Sequence, residues 1–296
     1  MKVTVLGMGR QGKRRAEWLS KNPDVYGLIV YDENPTCLQG FPYSEKCLEA
    51  NSQTLDSAIA QSHAVAICTP STTHLDLAIP LIRQGKHLLI EKPLALTAHD
   101  AWSIVNNAQE FGSRIHVGLN MRYRAPILYA QELLPRIGAI SFVQGHISHS
   151  QFLATMYPRY EDVRLTTGGG PMLDIGTHVL DLCLNLIGDQ SGSIAVKRFE
   201  SDDWCGIMAL KCGDVMVEIS ASFQEYQKGV GTIIEIHGQH GILVVHMAEP
   251  SDYVQLFIQG STVEMKREFS FPDDCWKLDC EKFVETVNGS GESNLY

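Results

Sequence analysis

Asp174, His178, Asp181 and Asn185 fall at i, i+4, i+7 and i+11 in a stretch whose other positions are largely apolar. On a helix this spacing draws them into one polar stripe. A solvated stripe usually carries Lys and Glu. An aspartate with a histidine one turn later suits proton transfer, because imidazole titrates near neutrality and a carboxylate can fix its orientation. A second candidate is Lys92, in Ile90-Glu91-Lys92-Pro93, at the end of an apolar run. A lysine at the C-terminal end of a parallel strand faces the crevice where open α/β sheets bind ligands. By position alone it weighs evenly against a surface lysine before a turn.

The third group is Gly7-Met8-Gly9-Arg10-Gln11-Gly12, a GxGxxG match between a short strand and a helix. The first glycine permits a tight turn, the second lets backbone approach a pyrophosphate, and the third lets helix pack on strand. The helix N-terminus then offers N–H groups and a dipole to the anion. Asp32 closes the next strand, 20 residues beyond Gly12. Its carboxylate can accept the adenosine ribose hydroxyls and would repel a 2′-phosphate, so NAD is preferred over NADP. Arg10 and Lys13 lie close by and pull the other way.

These residues need elements to hold them. Residues 1–120 alternate apolar strand patterns (3–6, 25–31, 64–69, 87–90 and 115–119) with helical ones (10–21, 55–61, 75–84 and 98–111). That alternation predicts an α/β Rossmann domain, a doubly wound parallel sheet with helices on both faces. From 121 to 296 the pattern changes. Helices are expected over 127–137 and 172–187, and strands over 140–148, 194–199, 206–211, 215–223, 232–237, 242–246 and 254–258. Short polar turns between them imply a large open, mostly antiparallel sheet, an α+β domain for substrate and assembly. Asn120, Arg122 and Tyr123 follow the last parallel strand and are candidates to line a cleft. Tyr157, Arg159, Tyr160 and Arg164 lead into Gly168-Gly169-Gly170 and are candidates for a phosphate, a carboxylate or a nucleotide moiety.

Bulk properties narrow the partners. The net charge is -10, from 24 basic and 34 acidic residues, which disfavours nucleic acid and anionic membranes. No run approaches the roughly 20 apolar residues of a membrane span, and no leader pattern opens the chain. Eight cysteines without a CxxC pair read as thiols in a reducing compartment. A cytoplasmic protein is expected. No metal is expected either, since His146 and His149 fall on opposite faces of any strand.

The glycine loop, Pro70 with His74, Glu91-Lys92-Pro93, and the run GGGPMLDIGTHVLDL over 168–182 together resemble the Gfo/Idh/MocA (glucose–fructose oxidoreductase/inositol dehydrogenase) family across nearly the whole chain. The two internal motifs are far more specific than the glycine loop. The resemblance implies an NAD-dependent oxidoreductase acting on a sugar, polyol or nucleotide sugar, with Lys92, Asp174 and His178 in catalysis. It implies cofactor contacts from Gly7, Gly9, Arg10, Gln11, Gly12, Asp32, Thr69, Pro70, His74, Glu91 and Lys92. Substrate contacts are expected from Lys92, Asn120, Arg122, Tyr157, Arg159, Asp174 and His178. A homodimer or homotetramer built on the open sheet is also implied. Family members usually continue past the last sheet with a further helix and more chain, so an ending at Tyr296 implies either a naturally short member or a missing part. Two rival readings stay open: a regulator that binds dinucleotide without turnover, and an NAD-dependent glycoside hydrolase.

Overall fold

A computed structural model of the chain describes residues 1–41, 47–49, 55–149, 169–188, 194–201, 204–223, 231–248, 251–260, 265–270, 274–291 and 293–294. Tyr157, Arg159, Tyr160, Arg164 and Gly168 lie outside the described residues. The chain forms two compact units, one of Met1–Asn120 with Trp276–Tyr296 and the other of Met121–Cys275.

In the first unit the strands are β1 (Lys2–Leu6), β2 (Gly27–Tyr31), β3 (Cys47–Glu49), β4 (Ala64–Ile67), β5 (His87–Glu91) and β6 (Ile115–Gly118). They lie in the order β3-β2-β1-β4-β5-β6, all parallel. Strand order reverses between β1 and β4, which places the ligand crevice of such a sheet beyond their carboxyl ends. The helices are α1 (Arg10–Lys21), α2 (Leu55–Gln61), α3 (His74–Arg83) and α4 (Ala98–Phe111). Strand residues Val3, Val5, Leu28 and Val30 pack with Ala16 and Leu19 of α1 on one face. Val65, Ile67, Leu88 and Ile90 pack with Ala78, Leu81, Ile82 and Ile104 on the other. Helix α4 shows how locally the sequence sets its ends. The Thr97 hydroxyl accepts from the Asp100 amide at its start, and Gly112, at φ 67°, closes it.

The second unit holds α5 (Ala125–Ile137), β7 (Ile140–Ser148), α6 (Pro171–Asp174), α7 (Gly176–Ile187), β8 (Ile194–Ser201), β9 (Cys205–Cys212), β10 (Val215–Ser222), β11 (Gly231–Gly238), β12 (Gly241–Met247), β13 (Asp252–Ile258) and β14 (Met265–Phe269). The sheet runs β14-β13-β12-β11-β7-β10-β9-β8. Every neighbouring pair is antiparallel except β7 with β10. That pair is parallel because the chain returns from β7 to β10 by way of α7, β8 and β9, a crossover rather than a hairpin. Alternate residues of β7 and β10 to β13, such as Val143, Ile147, Val217, Ile219, Ile234 and Val245, face α5 and α7 in a single core.

The structure departs from the sequence reading in four places. The single helix expected over 172–187 is broken at Ile175 into α6 and α7. Strands β3 and β14 were not anticipated. They are short, and β14 carries Lys266, Arg267 and Glu268 in a sequence of five residues. Nor was α8 (Cys275–Asn288), whose buried positions include Asp279 and Thr286 and so blur the apolar period. Finally, residues 276–296 do not group with 121–275. Cys280, Phe283 and Val284 of α8 bury in the same cluster as Val3, Val5 and Leu28, so the chain's end completes the first unit.

Candidate functional site

The glycine loop has the shape its spacing predicts. Gly7 sits at φ +86°, where a side chain is strained, and a Cβ there would meet the Cys68 carbonyl at 2.9 Å. A Cβ on Gly12 would stand 1.8 Å from the Gly7 carbonyl oxygen. Gly9 differs from both: a Cβ would meet nothing within 4 Å. The backbone at Gly9 is therefore open to approach from outside the protein. Helix α1 begins directly behind it with no side-chain cap and no acidic residue in its first turn. Such a helix start favours an anion. The Gln11 Oε1 is buried and meets no donor among the described residues. An open approach at Gly9 and an uncapped helix start fit the pyrophosphate of a dinucleotide.

Asp32 follows β2 and meets the glycine loop. Its Oδ2 accepts from the Met8 amide at 2.6 Å and its Oδ1 from the Asn34 amide at 2.9 Å. The carboxylate therefore braces the glycine loop, and each oxygen keeps a second lone pair for a ribose hydroxyl. Arg10 is exposed at the loop, and Lys13 Nζ donates to the Gln39 carbonyl at 3.4 Å.

Thr69 and Pro70 follow β4. Thr69 Oγ1 is 2.7 Å from Thr73 Oγ1, which also donates to the Pro70 carbonyl. His74 opens α3 and is only 1 % exposed. Its Nδ1 lies 2.9 Å from the Pro93 carbonyl and its Nε2 lies 3.1 Å from the Thr69 carbonyl. It thus ties the loop after β4 to the loop after β5, a supporting place rather than a contact surface for a cofactor. Burial pushes this imidazole below its ordinary value, against the two carbonyls and the Glu91 charge, which pull it up.

Glu91 ends β5, and Lys92 follows it half-buried; the Lys92–Pro93 peptide is cis. The Glu91 carboxylate points inward. It accepts from Arg15 Nε at 2.7 Å, and Arg15 Nη1 donates to Asp279 Oδ2 at 2.5 Å. Asp279 Oδ1 lies 2.7 Å from His116 Nε2. Burial alone would lower the Arg15 pKa, but Asp279 and Glu91 hold it well above the ordinary value. Burial would raise that of Asp279, but Arg15 and His116 hold it below the ordinary value. Gly118 makes room for this network, since a Cβ there would stand 2.7 Å from Arg15 Nη2. Arg15, Asp279 and His116 did not stand out in the sequence. The available signal was Arg15 itself, a charged residue on the buried stripe Gly12, Arg15, Ala16, Leu19 of α1.

In the second unit Asp174 ends α6 and His178 lies in the first turn of α7, both half-buried. The His178 amide donates to the Ile175 carbonyl at 3.0 Å, and Thr177 Oγ1 donates to the Asp174 carbonyl at 3.0 Å. The rest of the stripe is used in packing. Arg122 grips Asp181 through Nε, at 3.0 Å and 2.9 Å to the two oxygens, and through Nη2. Gln131 of α5 donates to Asn185 at 2.8 Å. Arg122 therefore stands as the partner of Asp181, and Asn120 is buried at the start of the same turn. Among the described residues no group of three or more His, Cys, Asp or Glu is arranged to hold a metal ion.

Residues 1–119 match the family model for an oxidoreductase family with an NAD-binding Rossmann fold, and residues 128–244 match the model of the GFO/IDH/MocA C-terminal domain. The chain is similar to scyllo-inositol 2-dehydrogenase (NADP(+)) of Bacillus subtilis, 23% identical over 98% of this chain and 79% of that protein. It is similar to inositol 2-dehydrogenase of Rhizobium meliloti, 24% identical over 97% of this chain and 89% of that protein. Among solved structures it resembles levoglucosan dehydrogenase in complex with NADH and levoglucosan. The TM-score is 0.83 at 18% identity, over 100% of this chain and 91% of that one.

Proposed function

Because the chain belongs to the Gfo/Idh/MocA family of oxidoreductases, we propose that it moves a hydride between a nicotinamide and a secondary hydroxyl or ketone of a sugar, polyol or nucleotide sugar. The observation that carries the reading is the open cradle at Gly9, closed on one side by the Gly7 and Gly12 turn and braced by Asp32. NAD is the preferred cofactor, from the carboxylate of Asp32 at the end of β2. Gly7, Gly9, Gly12, Gln11 and the start of α1 would hold its pyrophosphate, with Thr69 and Pro70 beside it. The bound nicotinamide supplies the hydride acceptor or donor.

The chain's own residues supply the proton chemistry. His178 takes the proton from the substrate hydroxyl as general base. Lys92 donates a hydrogen bond to the same oxygen and stabilises charge developing there. Asp174 orients His178 or binds a neighbouring hydroxyl. Running in reverse, the same groups protonate a reduced ketone.

The surroundings belong to the same reading. Strands β8, β10 and β11 expose Ile194, Val196, Phe199, Met216 and Ile233. That apolar surface supports a homodimer or homotetramer assembled on the open sheet. Cys37, Cys68, Cys183, Cys205, Cys212, Cys275 and Cys280 are free thiols, and no described helix is long and apolar enough to cross a membrane. A cytoplasmic enzyme acting on a small carbohydrate agrees with both. The test is a panel of inositols, free hexoses, amino sugars and nucleotide sugars with NAD and with NADP, following absorbance of the reduced cofactor. Net reduction with one class supports the reading. Tight NAD binding with no reduction across the panel, or glycoside cleavage without net reduction, overturns it.

A further inference from the structure

Glu91, Arg15, Asp279 and His116 form one buried chain of charge inside the first unit, contributed by β5, α1, α8 and β6. The proposed chemistry uses none of them directly. Burying an ion pair gains little stability, because the attraction only offsets the cost of removing both charges from water. Helix α8 already docks through Cys280, Phe283 and Val284, which lie in the core of the first unit. An apolar residue at 279 would serve docking as well, if docking were all that mattered.

The place of the charge is more specific. Arg15 is shared between two carboxylates, Glu91 on Nε and Asp279 on Nη1. Asp279 is shared in turn between Arg15 and His116. A planar guanidinium fixed by a carboxylate at a second corner cannot rotate about the first. Its hold on Glu91 then sets the orientation of the residue that immediately precedes Lys92. Arg15 also lies one turn beyond Gly12 on the buried stripe of α1.

We propose that Asp279 is a positioning residue for Lys92, acting through Arg15 and Glu91, so that the C-terminal helix sets the reactive lysine from the far end of the chain. The proposal rests on the reading that Lys92 acts in catalysis. Its first test does not depend on activity.

Asp279→Asn keeps the shape and removes the charge. Val284→Ala, in the same helix but outside the charged chain, controls for loosened docking. Hydrogen–deuterium exchange of the segment 90–95 should quicken about tenfold in Asp279→Asn. Val284→Ala, compared at a similar loss of melting temperature, should quicken exchange only within α8. With a turned-over sugar, Asp279→Asn should lower kcat about tenfold while KM and the NAD dissociation constant stay within about threefold. Unchanged exchange at 90–95 in a folded Asp279→Asn overturns the proposal, as does equal quickening in both variants. If Asp279→Asn does not fold, Arg15→Lys carries the test. It keeps a cation but cannot fork two carboxylates, and should show the same quickening at 90–95. The exchange result stands whether or not a substrate is found, so its failure is distinct from failure of the functional reading.

Discussion

At the scale of single residues, the site divides into groups available to do chemistry and groups spent on holding others. In the proposed reaction His178 belongs to the first kind. As the general base, its replacement by Ala should lower turnover by about 10²–10⁴-fold while NAD affinity stays nearly intact. Steady-state kinetics beside a melting curve decide this; a folded variant with full activity ends the assignment. Lys92→Ala should be similarly severe, and the double variant should cost less than the product of the singles, because both act on one proton transfer. Asp32→Ala should narrow the preference for NAD over NADP in a titration of both. Equal affinities in the unaltered protein remove the basis for that claim. His74 belongs to the second kind, and it predicts a pH effect. Its folded value, like that of half-buried His87, is lowered chiefly by burial. The unfolded chain therefore takes up protons first as pH falls through about 6.5. Stability is full above that pH and declines as pH drops toward the folded values. Melting temperatures between about pH 7.5 and 5 should show the decline, and His74→Gln should flatten part of it. An unchanged slope in that variant would reject His74 as a source.

At the scale of elements, the turn chemistry is sharp enough to test one position at a time. Gly12→Ala forces a methyl into the Gly7 carbonyl. It should both destabilise the first unit and cut NAD binding, read by calorimetry and fluorescence titration. Thr97→Ala removes the cap of α4 and should cost about 1 kcal/mol in denaturant unfolding with no effect on the cofactor. These elements were legible because their signals are local: apolar runs closed by Gly or Pro, and Gly112 at the end of the helix over 98–111. What was not legible depends on distant partners. The stripe of Asp174, His178, Asp181 and Asn185 reads as four equal members of one helix face. In the structure Asp181 and Asn185 are taken by Arg122 and Gln131, and Ile175 interrupts the helix between Asp174 and the rest. Spacing reports which residues share a face and cannot say which neighbour consumes them. The same limit hid Asp279, which lies in a helix the sequence reading did not anticipate and meets Arg15 from 264 residues away.

At the scale of the whole molecule, the large sheet of the second unit leaves apolar side chains such as Val196 and Phe199 exposed on a monomer. Light scattering at micromolar concentration should give a dimer or tetramer mass, and a monomer would reject assembly on this sheet. The other large-scale feature is that the first unit is made of two separate lengths of chain, 1–120 and 276–296. On the ribosome 1–120 is made well before 276–296. The second unit is contiguous, so it can fold while the first still lacks a helix, and Arg15 waits through the synthesis of 121–275 for its second carboxylate. A cell that aborts translation anywhere before Asp279 would therefore be left with a dinucleotide fold holding a half-paired buried cation. The glycine loop and the proposed positioning of Lys92 are thus separated in time by the synthesis of the whole second unit.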